Sequence, residues 1–230
     1  MPELAIIIPV VNESGLIPET LQRLQLLRLR GAAVIVVDGG SEDGTPERAA
    51  PLADRVISAS RGRGRQMNAG AAAAEAGVLL FLHADTALPP DADLLIHRAL
   101  AGGKAWGRFD VQIDSTRASL RLVSAMMNWR SRWSGIATGD QGMFVRRETF
   151  DALGGFRNVA LMEDIDMSSR LRRIGPPACV PQRVVTSARR WHQHGVLRTV
   201  LFMWKLRAAF FFGAHPDKLA VQYGYKPHEP

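Results

Sequence analysis

The segment "LLFLHADTALPP", residues 79–90, contains the first residues that could do chemistry. A carboxylate such as that of Asp85 is an oxygen ligand of the kind that Mg²⁺ and Mn²⁺ prefer, and a neutral imidazole such as that of His83 can also ligate Mn²⁺. The His-Ala-Asp motif is therefore either a divalent-metal site in which one carboxylate is replaced or the polar end of an ordinary strand.

A cluster of carboxylates stands in "LMEDIDMSSRLRR", residues 161–173. Asp166 and Arg170 are spaced four apart and are predicted to pair on a helix. Acidic residues favour helix N-termini for electrostatic reasons alone. Glu163 and Asp164, however, follow an apolar pair in a half of the chain that is otherwise basic. The cluster is either a helix start or the source of a general base that deprotonates a hydroxyl group.

Two glycine-rich segments could contact an anionic ligand. The first, "DGGSEDGT", is either a strand-to-helix turn or a loop in which Asp38 hydrogen-bonds a base or ribose. It lacks the Gly-Lys-Ser/Thr ending of a P-loop. The second, "RGRGRQMNAG", offers Arg61, Arg63 and Arg65 either as a clamp for a diphosphate or as a solvated basic loop.

A late segment, "SARRWHQH", mixes cations, an indole and two imidazoles. Trp191 is either a core residue or part of a site. We consider His192 or His194 as a late metal ligand, although a regular helix could not point both of them the same way.

The elements that must position these residues follow from hydrophobic patterning. Short apolar runs predict central strands of a parallel sheet at 4–10, 32–38 and 77–85, and a weaker run predicts an edge strand at 54–59. Helices are predicted at 16–30, from an N-cap at Thr45, and at 65–76. Strand and helix alternate as in an open α/β sheet. The polar clusters follow the strands, so they should converge on one crevice at the carboxyl ends.

The second half of the chain is less regular. It predicts a strand at 105–113, a helix at 116–133, a glycine-rich loop, a short strand at 143–147 and a helix at 162–175. The last helix, 196–213, is apolar but carries Arg198, Lys205 and Arg207, which argues against a membrane span. It either packs on the rest of the chain or lies on a membrane surface, where its aromatic residues stand beside cations.

Composition limits the class of protein. The chain has 230 residues, 47% of them hydrophobic, and a net charge of +7, which favours an anionic partner. Nucleic acid is not expected, because the arginines are dispersed and no nucleic-acid-binding motif is present. The single cysteine, Cys179, excludes an internal disulfide and indicates a reducing compartment. The first residues do not resemble a signal peptide, so we expect a cytoplasmic protein.

Five ordered segments together resemble the family 2 glycosyltransferases of the GT-A fold, a Rossmann-like, open and mostly parallel sheet flanked by helices. These segments are "IIIPVVNE", "VVDGGSEDGT", "GRGRQMNAGAAAAEAGVLLFLHAD", "GDQGMFVRRETFDALGGF" and "EDIDMSSRLRRIG". The details are most similar to the branch of this family associated with radical-SAM and selenodomain genes or with arsenosugar biosynthesis. The resemblance implies one domain over 1–230, with a nucleotide-binding half at 1–100, an acceptor and catalytic half at 101–195, and a helix and tail at 196–230.

The resemblance also implies roles for individual residues. Asp164 would be the catalytic base with Glu163 beside it, and Asp85 would hold Mg²⁺ or Mn²⁺, with His83 or His192 as further metal candidates. Residues implied at the nucleotide sugar are Pro9, Asn12, Glu13, Asp38, Gly39, Arg63, Arg65, Asn68, His83 and Asp85. Residues implied on the acceptor side are Gly139, Asp140, Gln141, Arg190 and Trp191.

Three departures from the family pattern bear on function. Gly39 and His83 stand where relatives carry Asp, and Ser187 stands where processive relatives carry Gln, which argues against a processive polymerase. The expected activity is metal-dependent, inverting transfer of a sugar from a nucleoside diphosphate to a hydroxyl acceptor, at the cytoplasmic side and with the last helix as a candidate membrane contact. The alternatives are a non-catalytic nucleotide-sugar-binding module and a sugar nucleotidyltransferase, against which "VVNESG" after the first strand counts.

Overall fold

The computed structural model describes residues 3–224, and residues 1–2 and 225–230 of the predicted domain lie outside the described residues. The strands are β1 Leu4–Val10, β2 Ala33–Asp38, β3 Arg55–Ser58, β4 Val78–Phe81, β5 Thr86–Ala87, β6 Trp106–Ile113, β7 Met143–Arg146 and β8 Ala178–Thr186. The helices are α1 Ile17–Arg23, α2 Gln25–Leu29, α3 Thr45–Ala49, α4 Arg63–Ala73, α5 Ala92–Ala101, α6 Ala118–Ser134, α7 Arg147–Ala152, α8 Glu163–Ile174, α9 Arg189–His194, α10 Val196–Phe211 and α11 Pro216–Tyr223, with a 3-10 turn at Gly139–Gln141.

The eight strands form one sheet in the order β3-β2-β1-β4-β7-β6-β8-β5. Strands β1 to β4 pair in parallel, as the alternation of strand and helix predicts. Strand β7 then runs antiparallel to both of its neighbours, β4 and β6, and joins the first half of the chain to the second. The carboxyl ends of β1, β2 and β4 therefore lie side by side, with the second half closing over them.

Both faces of the first half of the sheet are covered, which explains its unbroken apolar strands. On β1, Ile6 and Ile8 face the layer that contains α1 and α5, whereas Ile7 faces α4, and all three are fully buried. Gly70 on α4 permits this close packing, because a Cβ there would lie 2.9 Å from Cγ2 of Val37.

Strand β4 is shorter than the predicted strand 77–85. The last ladder hydrogen bond joins the Leu82 N–H to the Ile7 carbonyl, and the Thr86 N–H then turns back to the His83 carbonyl at 3.1 Å. His83 and Asp85 therefore stand in a turn beyond the sheet, where their side chains can face a ligand.

Two helix predictions are corrected at their boundaries. The helix predicted at 16–30 is divided at Leu24, because the Leu21 carbonyl accepts from the Leu24 N–H and from the side chain of Gln25. Thr45 is not an N-cap but the first residue of α3, after Gly44 with φ +81°. Its hydroxyl accepts from the Glu13 N–H at 2.9 Å, and so joins the loops that follow β1 and β2.

Strand β8 was absent from the sequence prediction. It pairs in parallel with β6, but the register shifts: Phe109 faces Val180, whereas Asp110 faces Arg183. Pro181 lies at this irregularity, a position that sheets tolerate for a residue without an N–H. The proline and the polar residues around it conceal the strand's alternation from a sequence pattern.

The C-terminal helices pack beside α8. Leu206 of α10 and Leu219 of α11 are buried against Leu161 and Met162, which directly precede α8. Met162 adopts φ +70°, a strained conformation for a residue with a side chain. Within residues 3–224, each helix is too short or too polar to cross a membrane.

Candidate functional site

One cavity of about 680 Å³ lies where the two halves of the sheet meet. It is bounded by the loops after β1 and β4, by the 3-10 turn, by the start of α8 and by helices α6, α9 and α10. Of the residues predicted from sequence, those that line it are Pro9, Glu13, Arg63, His83, Asp85, Gly139, Asp140, Glu163, Asp164, Arg190 and Trp191. Residues from most of the predicted segments thus meet in one place, whereas the segment 38–45 contributes none.

Other predicted residues lie beside the cavity and position its walls. These are Asn12, Asp38, Gly39, Arg65, Asn68 and Gln141, and the exposed His192 also lies outside it. The Asp38 carboxylate accepts from the N–H groups of Gly40 and Ser41 at 2.9 and 3.0 Å, and the Asn12 side chain accepts from the Glu42 N–H at 2.9 Å. Asn12 therefore joins the loop after β1 to the loop after β2, whereas Asp38 fixes the conformation of its own loop.

Gln66 explains why residue 39 is glycine. The buried Gln66 amide donates to the carbonyls of Val10 and Val37 at 2.9 and 2.8 Å, and so links the ends of β1 and β2. A Cβ at position 39 would lie 2.9 Å from that amide nitrogen and 2.7 Å from Val11. Any side chain at residue 39, aspartate included, would therefore displace Val11 or Gln66.

The predicted arginine clamp is only partly assembled. Arg63, at the start of α4, lines the cavity, and its guanidinium lies 3.7 Å from the Glu163 carboxylate. Arg65 instead donates to Asn158 at 2.7 Å, and the Asn68 side chain bonds both the N–H and the carbonyl of Phe156. Arg65 and Asn68 therefore anchor the segment that precedes α8.

His83 and Gly139 bring two motifs into contact. A Cβ on Gly139 would lie 2.6 Å from Cε1 of His83, so the imidazole occupies the space that a side chain at residue 139 would need. Burial, and then the charge of Arg63, lowers the pKa of His83 to about 3. His83 is consequently a neutral imidazole at physiological pH, able to donate or accept a hydrogen bond.

Asp164 lies in the first turn of α8, where its side chain accepts two hydrogen bonds. Its Oδ2 accepts from the Gly139 N–H and its Oδ1 from the Ile165 N–H, both at 2.7 Å. The glycine-rich loop predicted to enter the acceptor side is therefore bonded directly to the predicted base. This arrangement aims Asp164 into the cavity beside the His83 ring.

Glu163 is buried and Asp140 is half-buried in the site. Burial raises the pKa of Glu163 to about 7, with Arg63 opposing the rise and Asp164 adding to it. Burial also raises the pKa of Asp140, against the hydrogen bond from Thr138 and the charge of Arg207.

The segment 187–194 forms helix α9 and borders the nucleotide side. Arg189, which the sequence reasoning did not select, lies 3.4 Å from Glu13. Burial raises the pKa of Glu13, the Arg189 charge opposes this, and the charge of Asp85 adds to the rise. The guanidinium of Arg190 lies 3.7 Å from the centre of the Tyr223 ring.

The part of the cavity away from the nucleotide loops is apolar, and sequence reasoning missed it. Its walls come from α6 and α10, with side chains of Val123, Met126, Met127, Trp129, Val200, Met203 and Trp204. Arg130 and Arg207 also line it. The sequence signal that could have indicated this wall is an arginine within an otherwise apolar stretch, as at Arg130 and Arg207. Such a signal does not show which face of the helix points into the cavity.

The site fits a divalent cation only in part. No group of three or more His, Cys, Asp or Glu side chains within residues 3–224 is arranged to hold a metal ion. Mg²⁺ commonly uses one or two carboxylates and takes its remaining ligands from water and substrate phosphates. The cavity-lining carboxylate of Asp85 suits that mode, in which the metal binds together with a phosphorylated ligand.

Comparisons with known proteins identify the family and the fold. A model of glycosyl transferase family 2 matches residues 5–157, a range that ends just before Glu163 and Asp164. A curated relative, undecaprenyl-phosphate 4-deoxy-4-formamido-L-arabinose transferase of Pseudomonas aeruginosa, is 29% identical over 162 residues, which cover 62% of this chain and 45% of the relative. The chain thus spans less than half the length of such relatives.

Two solved structures share the architecture. A mannosyltransferase from Pyrobaculum calidifontis in complex with GDP-Man and Mn²⁺ has a TM-score of 0.66 at 20% identity, covering 100% of this chain and 66% of that one. Glucosyl-3-phosphoglycerate synthase from Mycobacterium tuberculosis in complex with Mg²⁺ and UDP has a TM-score of 0.59 at 19% identity, covering 80% and 70%. The fold is that of the GT-A glycosyltransferases, as predicted, and the chain belongs to glycosyl transferase family 2.

Proposed function

We propose that the chain is a metal-dependent, inverting glycosyltransferase that moves a sugar from a nucleoside diphosphate to a hydroxyl acceptor. The observation that carries this proposal is that Asp85 and Asp164, from opposite halves of the sheet, line the same cavity as Arg63. A carboxylate for a metal, a carboxylate for a proton and a cation for a departing diphosphate are the groups that such a transfer requires.

The donor is assigned to the loops that follow β1, β2 and β4. Pro9, Glu13, His83 and Asp85 line the cavity there, with Asp38 fixing the loop beside them. Similar structures were solved with GDP-Man or UDP, which supports a nucleotide sugar as ligand. In this proposal the neutral His83 contacts the nucleotide, and Asp85 holds the metal.

In the proposed transfer step, Asp164 accepts the proton of the acceptor hydroxyl group. The acceptor oxygen forms a bond to the anomeric carbon, the bond from that carbon to the diphosphate oxygen breaks, and the diphosphate leaves with the electron pair. The acceptor proton passes to Asp164, whose orientation is set by the Gly139 N–H. A divalent metal bound through Asp85 would neutralise charge on the diphosphate, and Arg63 adds a fixed positive charge in the same cavity.

The direct test of the base is Asp164→Asn. A positioned general base contributes roughly 10²–10⁴-fold to rate, so transfer should fall by about that factor while nucleotide binding persists. Asparagine keeps one oxygen for the Gly139 N–H and loses the bond from the Ile165 N–H. Asp151→Asn, the same change at an exposed residue outside the cavity, is the matched control. Undiminished transfer by Asp164→Asn would show that another group accepts the proton.

A non-catalytic nucleotide-sugar-binding module is the second candidate. Its support is His83, a neutral group where relatives carry a carboxylate. Release of nucleoside diphosphate that depends on metal and on acceptor separates the two functions, because only the transferase consumes the donor. We further propose that the chain belongs to the branch associated with radical-SAM and selenodomain genes or with arsenosugar biosynthesis, on its motif details alone.

We also propose that the chain works at the cytoplasmic face of a membrane. Helices α6 and α10, both within the described residues, contain no acidic residue and several cations. Their outer faces carry large apolar side chains, including Trp129, Trp133 and Phe211 at 69%, 82% and 84% exposure. The combination of exposed aromatic residues and positively charged side chains suits an anionic lipid surface.

A further inference from the structure

Arg130 of α6 and Arg207 of α10 both line the apolar half of the cavity, where each guanidinium group feels the positive charge of the other. Nε and Nη2 of Arg130, and Nε of Arg207, are buried without a hydrogen-bond partner. Within residues 3–224, neither guanidinium forms a hydrogen bond or an ion pair. Buried charged donors without partners cost several kcal/mol in order of magnitude, so their retention calls for a reason.

The electrostatics around the two arginines indicate a missing anion. Burial, and then the charge of Arg207, lowers the pKa of Arg130 to about 10, which leaves both groups charged at neutral pH. Asp140 and Asp164 lie close enough to stabilise that charge, but neither carboxylate lies within ion-pair distance of the two arginines. Two like charges are thus held together without a direct counterion.

The other cations of the cavity are engaged elsewhere. Arg63 lies against Glu163 and Arg189 lies against Glu13, both toward the nucleotide-side loops. Arg190 lies over the Tyr223 ring. Arg130 and Arg207 come instead from the two helices that form the apolar wall. The pair is therefore a separate feature on the acceptor side of the proposed base.

The surroundings of the pair restrict the ligand further. Met126, Met127, Trp129, Met203 and Trp204 line the same half of the cavity, and methionine and tryptophan side chains adapt to apolar ligands. Trp129 and Trp204 are also largely exposed at the outer surface, so this apolar lining continues to the face of α6 and α10. A small hydrophilic anion would leave the apolar lining uncovered.

We propose that Arg130 and Arg207 bind a phosphate group of the acceptor, and that the rest of this acceptor, apart from the hydroxyl group that reacts, is an apolar body lying along the methionine and tryptophan wall. The proposal rests on the proposed function, since it assigns the acceptor of that same site. It concerns binding and adds no step to the transfer. The same phosphate chemistry could come from a lipid-linked acceptor or from a water-soluble organic phosphate, and the proposal commits to the apolar carrier.

The test measures binding by the full chain without turnover, using tryptophan fluorescence or calorimetry. The probes are farnesyl phosphate below its aggregation concentration, farnesol, and glycerol 3-phosphate. Charge-assisted hydrogen bonds contribute about 1.5–3 kcal/mol each, so farnesyl phosphate should bind at least about tenfold more tightly than farnesol. It should also bind more tightly than glycerol 3-phosphate, which lacks the apolar body.

Variants assign the effect to the two arginines. Arg130→Gln and Arg207→Gln should each weaken farnesyl phosphate binding about tenfold or more, and should leave farnesol binding unchanged. Arg121→Gln, on the exposed face of the same helix α6, is the matched control and should have no effect. Because each variant removes a buried unpaired charge, neither should melt below the parent chain.

The results that would overturn this proposal differ from those that would overturn the proposed function. Equal affinity for farnesol and farnesyl phosphate, or tighter binding of glycerol 3-phosphate, would overturn the proposal on the unmodified chain alone. Loss of UDP or GDP binding in Arg130→Gln or Arg207→Gln would assign the pair to the donor and also overturn it. If the chain binds farnesyl phosphate through these arginines but binds no nucleotide, the acceptor assignment stands and the transferase assignment fails.

Discussion

Glu163→Gln tests whether burial or the neighbouring Arg63 dominates the pKa of the carboxyl group beside the proposed base. Glu163 is 3% exposed, and burial raises its pKa from 4.5 to about 7 in spite of Arg63. A pKa difference of about 2.5 corresponds to about 3 kcal/mol, because each pKa unit is worth about 1.4 kcal/mol. The ionised Glu163 should therefore destabilise the fold by an amount of that order.

The raised pKa of Glu163 determines the pH range over which this group changes the free energy of unfolding. Between pH 4.5 and about 7, the folded chain binds the Glu163 proton more tightly than the unfolded chain, so the stability that this group contributes is lost as pH rises. Glutamine resembles the protonated acid and does not titrate. The free energy of unfolding of Glu163→Gln minus that of the parent should be small at pH 4.5 and should rise to about 3 kcal/mol by pH 8.

The assay is urea unfolding followed by tryptophan fluorescence at several pH values. Comparing two chains cancels the other titrating groups, among them His83, whose lowered pKa costs stability as pH falls below 6.5. Glu148→Gln, an exposed glutamate on α7, is the control and should give a difference near zero throughout. A Glu163→Gln chain that is less stable than the parent at pH 8 would refute the reasoning, since it would mean that the Arg63 interaction outweighs burial.

Two further predictions concern the metal and the membrane. Asp85→Ala should abolish the dependence of nucleotide-sugar binding on Mn²⁺, measured by thermal shift, whereas His83→Ala should mainly weaken nucleotide affinity. Equal loss of the Mn²⁺ effect in both would make His83 a metal ligand. In vesicle sedimentation, the chain should bind anionic and not zwitterionic lipid, and Trp133→Ala should weaken binding about tenfold, since a buried large apolar side chain contributes about 1.5–3 kcal/mol. Equal binding to anionic and zwitterionic vesicles would contradict the proposal that the surface of α6 and α10 contacts the membrane.

Much of the nucleotide-side architecture could be predicted from sequence because it depends on local patterns. Strands β1, β2 and β4 are apolar runs that end in polar residues, and the carboxyl ends of parallel strands meet at one edge. Asp85 and Asp164 were selected because they follow such elements within ordered motifs, and the structure brings both to one cavity. Their catalytic roles remain predictions.

The remaining features depend on contacts between distant residues. The glycine at residue 39 is explained by Gln66, which no local pattern places there. Strand β8 was missed because Pro181 interrupts its alternation at the shift in register. Arg130 and Arg207 belong to one cavity only because α6 and α10 meet, and helical periodicity alone does not tell which face of each helix has a partner.

The central claim is that this cavity transfers sugar from a nucleotide donor, and release of nucleoside diphosphate tests it most directly. The purified chain would be incubated with a panel of nucleotide sugars, with and without Mn²⁺, in the presence of a set of hydroxyl acceptors. We predict release from at least one nucleotide sugar that requires both metal and acceptor and that falls by roughly 10²–10⁴-fold in Asp164→Asn. Nucleotide-sugar binding without release under any of these conditions, or release that persists undiminished in Asp164→Asn, would contradict the account.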